Sequence, residues 1–208
     1  MTIHIPEIIT TGHGPGFALW VARLAHANNG ETTVLYLPDE AIDSDFLRPN
    51  IDLARQAGVE IRSAGVAGEH YDPVAGRRAC DWCADHLSLE SGDRLIIPTV
   101  DLMLDAECLP TVPPGVDLDV IYHQPGTQAP LIPPLSLLRK RWTGIRAVQK
   151  SRRRRRFLLA HVPNRTFVVD PHEFLGPGRR RFMRRFKTLN PRMLPIGTLN
   201  TEGYESNP

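Results

Sequence analysis

Cysteine is scarce: the chain has three in 208 residues. An odd number that small cannot make a disulfide framework, and it fits a reducing cytoplasm. Long apolar runs are also missing. No stretch of about 18 apolar residues occurs, so no membrane-spanning helix is expected. The first residues lack a basic region followed by an apolar core, so no signal peptide is expected. The patterns G-x-S-x-G, H-E-x-x-H and G-x-x-x-x-G-K are absent. That argues against common hydrolases, zincins and P-loop enzymes. Aromatic residues reach only 7 %, which is thin for a protein that stacks bases.

What the chain does hold is charge, unevenly placed. The formal net charge is +2. Residues 1–138 carry 7 arginines against 19 acids, whereas 139–192 carry 18 lysines and arginines against 2 acids. An acidic body with a basic segment suggests an anionic partner for that segment. Its densest part is the run Arg152–Arg156. Leu135, Leu138, Trp142, Ile145 and Val148 recur at spacings of three and four, which predicts a long amphipathic helix continuing through that run.

The chain is organised around Ile8–Leu37. Ile8 and Ile9 close an apolar run, expected as a strand that ends at Thr10 and Thr11. Gly12, Gly14 and Gly16 then turn the backbone and permit close approach. Phe17–His26 is expected as a helix, stopped by Asn28, Asn29 and Gly30. Val34–Leu37 is the second strand. This βαβ unit implies a parallel sheet with a right-handed crossover. Further strands are expected at Val59–Arg62, Arg94–Thr99, Asp119–Tyr122 and Thr166–Val169, with helices between them near Phe46–Gly58, Asp72–Leu89 and Arg179–Lys187. The alternation predicts an α/β fold, a Rossmann-like three-layer parallel sheet of about six strands with helices on both faces. One domain spans 1–195, and 196–208 is a polar tail or the start of a linker.

Ligands in such sheets gather at the carboxyl ends of the strands. Two loops qualify there, Gly12–Gly16 and His123–Gly126, and each carries a histidine, His13 and His123. A helix N-terminus behind a glycine turn suits a phosphate or a sugar hydroxyl. A dinucleotide fingerprint would need a glycine at 17, where Phe17 stands, although Asp39 and Glu40 occupy the place of a ribose-binding acid. Cys80 and Cys83, with His86 nearby, have metal-ligand spacing. They fall on the apolar side of a helix and are read as core filler, so no metal is expected.

The stretches TTGHGPGFALWVARLAHANNGETTVLYL, LIIPTVDLML, VIYHQPG, TFVVDPHEF and LPIGT occur in this order. Together they resemble the N-terminal, acceptor-side domain of GT-B glycosyltransferases. The resemblance implies transfer of a sugar from a nucleotide-diphosphate sugar to a hydroxyl acceptor. By that likeness His13 stands where a general base deprotonates the acceptor, and His123 where a histidine contacts the transferred sugar. Gly12, Gly14 and Gly16, with Gln124 and Gly126, would line the substrate. No cofactor is implied. The family carries its donor site in a second α/β domain, and this sequence stops where that would begin. A lone acceptor-side domain, a truncated product or one subunit of a split enzyme is therefore expected. The likeness also implies a lipid-linked acceptor and an anionic membrane surface for the basic segment. The competing readings are a basic nucleic-acid-binding α/β protein and a dinucleotide-binding oxidoreductase.

Overall fold

A computed structural model of the protein describes residues 1–8, 14–65, 74–122, 149, 153–154, 156–158, 160–161, 163–170 and 192–195. The strands are β1 (Thr2–Pro6), β2 (Thr32–Leu37), β3 (Glu60–Ser63), β4 (Arg94–Ile97), β5 (Asp117–Tyr122), β6 (Arg165–Asp170) and β7 (Arg192–Pro195). They form one sheet in the order β3-β2-β1-β4-β5-β6-β7. Every pairing is parallel, from Val34 opposite Glu60 on one side to Phe167 opposite Arg192 on the other. The order turns back between β1 and β4, as in a doubly wound Rossmann-like sheet. The expected α/β class holds, with one strand more than the six foreseen.

Alternation along the strands divides the core into two layers. Ile3, Ile5, Leu35, Leu37, Ile96 and Ile121 pack on one face with α1 (Gly14–Asn29) and α3 (Arg48–Gln56). Leu95, Ile97, Leu118, Val120 and Tyr122 pack on the other with α4 (Ala75–His86), α5 (Asp101–Asp105) and Leu158. A short helix, α2 (Asp39–Ile42), follows β2. Right-handed crossovers explain the division: β1 to β3 advance one way across the sheet, β4 to β7 the other, so their helices fall on opposite faces. The helices α4 and α5 meet closely. A Cβ placed on Gly76 would stand 2.1 Å from the Leu102 carbonyl oxygen, so only glycine fits there.

Four expectations need correction. β1 ends at Pro6, before Ile8 and Ile9, because its pairing with β2 ends opposite Tyr36. α1 begins at Gly14, so Gly14 and Gly16 lie in its first turn rather than in a loop before it. The residues near Leu194 form β7 instead of a lead into the tail, because they pair with Phe167–Asp170. Arg154, within the five-arginine run, is buried. The expected helix start at 135–148, the basic helix at 179–187 and the tail at 196–208 lie outside the described residues.

Candidate functional site

The chain leaves β1 at Glu7, on the carboxyl edge where the strand order turns back. The Glu7 N–H donates to the Tyr36 carbonyl at 3.0 Å and so continues the β1–β2 ladder. The residue is only 2 % exposed, and a buried carboxylate must find donors. Thr99, just after β4, is one: its hydroxyl donates to Glu7 Oε2 at 2.6 Å. Gly14 closes in from the other side. A Cβ there would stand 3.2 Å from Glu7 Cδ and 3.4 Å from each carboxylate oxygen. Glycine at 14 thus makes room for the acid, and the acid lies at the start of α1, where the helix favours negative charge.

This arrangement changes what the glycine turn can hold. The beginning of a helix behind such a turn ordinarily suits phosphate. Here the Glu7 carboxyl group already occupies that place, and in its ionised form it would set a like charge against a phosphate. A carboxylate is instead an acceptor for hydroxyl or ammonium donors, and its hydrogen bonds are stronger than neutral ones.

The glycines Gly14 and Gly16 are the expected site residues that the structure describes. Gly14 touches the Glu7 region, and Gly16 sits half-buried in the first turn of α1. Gly12, His13, His123, Gln124 and Gly126 lie outside the described residues. In sequence, His13 directly precedes Gly14, and His123 directly follows Tyr122, the last residue of β5. The ends of β1 and β5 are two strand spacings apart, roughly 10 Å. Burial pushes the Tyr122 hydroxyl up to about 12, and the Arg154 guanidinium lies 5.7 Å from its ring centre. Sequence reasoning missed Glu7. Its signal was an acid set between Ile3, Ile5, Pro6 and Ile8, directly before the glycine turn.

Asp39, in the place of a ribose-binding acid, opens α2. Its N–H donates to the Gly65 carbonyl at 3.2 Å, and its carboxylate accepts the Ser63 hydroxyl. Phe17, which replaces the third glycine of a dinucleotide fingerprint, is buried and packs against Trp20 at 5.6 Å between ring centres.

The cysteines pack as core. Cys80 and Cys83 are buried in α4 beside Leu95 and Val120. The half-buried Cys108 thiol donates to the Gly76 carbonyl at 3.2 Å. Burial pushes the Cys83 thiol up to about 12. Hydrogen bonding to Cys108, then burial, pushes Cys80 up as well. Thiolate, the form that binds metal, is disfavoured at both. Among the described residues no three His, Cys, Asp or Glu side chains stand close enough together to hold a metal ion. No helix among them is long and apolar enough to cross a membrane.

Comparison with known protein families, with curated proteins and with solved structures finds no match to this chain.

Proposed function

We propose that this chain is the acceptor-side domain of a GT-B-type glycosyltransferase, moving a sugar from a nucleotide-diphosphate donor to a hydroxyl. The observation that carries the reading is the buried Glu7 carboxylate, held by Thr99 at the carboxyl edge and set against Gly14 at the start of α1. A carboxylate there favours a hydroxyl-bearing ligand over a phosphate. The parallel sheet, with its order turning back at this point, is the scaffold on which such a site is built. In the proposal Glu7 accepts a hydrogen bond from the acceptor sugar, and His13 takes the proton of the attacking hydroxyl. His123 contacts the transferred sugar. A further domain or chain holds the nucleotide, and the basic segment meets an anionic membrane surface.

The dinucleotide reading has one observation in its favour, Asp39 at the end of β2. The Glu7 carboxyl group beside Gly14 and the bulk of Phe17 both oppose it. Binding to the 208-residue chain separates the two readings. Saturation-transfer NMR with a panel of saccharides and glycolipid headgroups is expected to show binding that Glu7→Gln weakens about tenfold, the value of a hydrogen bond to a charged group. Nicotinamide dinucleotides are expected not to bind. Tight dinucleotide binding without saccharide binding would reverse the assignment. With a donor-binding half supplied, His13→Ala is expected to lower turnover by about 10²–10⁴.

A further inference from the structure

The right-handed crossovers send the described later helices to one face of the sheet, and the other face of β4, β5 and β6 lies toward α1. Among the described residues only α1 flanks it, and a cavity of about 340 Å³ opens between the two. Trp20 and Leu24 of α1 form its wall, and Ile96 and Ile121 its floor. Its other end, at the amino edge of the sheet, is charged. Asp119 there is 1 % exposed, and Arg165 holds it through Nε, 2.9 Å from Oδ1 and 3.0 Å from Oδ2, and through Nη2, 2.6 Å from Oδ2.

Arg94 is the group that this arrangement leaves short. Its Nε stands 3.7 Å from Asp119 Oδ2 and its Nη2 3.8 Å from Asp117 Oδ2. Both are ion-pair distances too long for a hydrogen bond. The Nε is buried and has no hydrogen-bond partner among the described residues. A buried charged donor without an acceptor is costly. The Arg94 side chain also lines the cavity, where an anionic oxygen would meet its guanidinium and offset that cost.

We propose that this cavity binds a small amphipathic carboxylate, with its head on Arg94 and its apolar body between Trp20, Leu24, Ile96 and Ile121. The volume lies at the small end of ligand pockets, which suits a medium-chain or single-ring acid. A guanidinium fork matches a carboxylate well. The site stands on the edge opposite Glu7, so it does not depend on the glycosyltransferase reading.

Calorimetric titration of the full chain with decanoate, and with decanol as its uncharged match, tests the proposal. Decanoate is expected to bind saturably at one site, and decanol at least tenfold more weakly. Arg94→Leu is expected to weaken decanoate at least tenfold while leaving decanol unchanged. Leu24, itself 40 % exposed, tolerates polarity, so Leu24→Glu keeps the fold and sets a like charge beside the ligand. It too should weaken decanoate at least tenfold, and it decides the matter if Arg94→Leu does not fold. Equal binding of decanol and decanoate overturns the proposal. So does the absence of saturable binding, or decanoate binding that Leu24→Glu leaves unchanged.

Discussion

His4, on β1, is a buried base between two oxygens. Its Nδ1 is 3.0 Å from the Tyr36 hydroxyl, and its Nε2 is 3.6 Å from Asp93 Oδ2. Burial lowers its pKa below the usual 6.5, and Asp93 only partly offsets this. Above pH 6.5 the imidazole is neutral both folded and unfolded. As the pH falls from 6.5 toward the lowered folded value, the unfolded chain takes up the proton while the folded chain does not, and stability is lost. Denaturant midpoints should therefore fall as the pH drops below 6.5, and the fall should be smaller in His4→Phe. An equal fall in that variant would remove His4 as the cause. Neither His4 nor Glu7 stood out in the sequence, for the same reason. A single polar residue in an apolar strand gives no periodic signal, and its partners come from 32 to 92 residues away.

At the scale of elements, the arginine run shows how much a helix's facing decides. Arg153 is exposed and pairs with Glu107, whereas Arg154 is 4 % exposed. Arg154 donates to both oxygens of Asp105, at 2.7 and 2.6 Å, and to Asp101 at 3.0 Å. Burial works against its charge, but these carboxylates outweigh that and hold the guanidinium above its usual pKa. Arg154 and Leu158, four residues apart, turn the same side of the helical segment toward α5 and β5. That spacing was present in the sequence, and it was hidden because the other four residues of the run are also arginine. Arg154→Met should cost about 3–5 kcal/mol by removing the buried guanidinium that binds both Asp101 and Asp105. Urea unfolding reads this directly, and a loss under about 1 kcal/mol would mean the pair is dispensable. The element types were otherwise legible, because strands buried on both faces read as short β-branched runs. The boundaries were not: Gly14 and Pro15 look like a loop, yet proline suits a first helical turn and Gly14 is needed for room beside Glu7.

For the whole molecule, strand and helix alternation made the parallel sheet legible, and handedness then assigned its faces. The cavity beside Arg94 was not legible, since it arises where α1, β4, β5 and β6 meet, and those elements are far apart in sequence. Charge at this scale also reads differently once folded. Arg153, Arg154 and Arg165 all come from the basic segment, and all bind acids of the body: Glu107, Asp101 with Asp105, and Asp119. Part of the basic segment's charge is thus spent inside the protein, and its formal excess overstates what a partner meets. Arg156, by contrast, is exposed. If the segment meets an anionic membrane, each outward cation contributes about 1 kcal/mol, so Arg156→Glu should weaken flotation with anionic vesicles about fivefold or more at low salt. Arg154→Met, in conditions where it stays folded, should bind as the parent does, because its cation already faces inward. Added salt should weaken binding of both. Vesicle binding that ignores Arg156→Glu, or that neutral vesicles support equally, would show that the basic segment is a solvated face. Retention of random duplex without any vesicle binding would give its partner as nucleic acid.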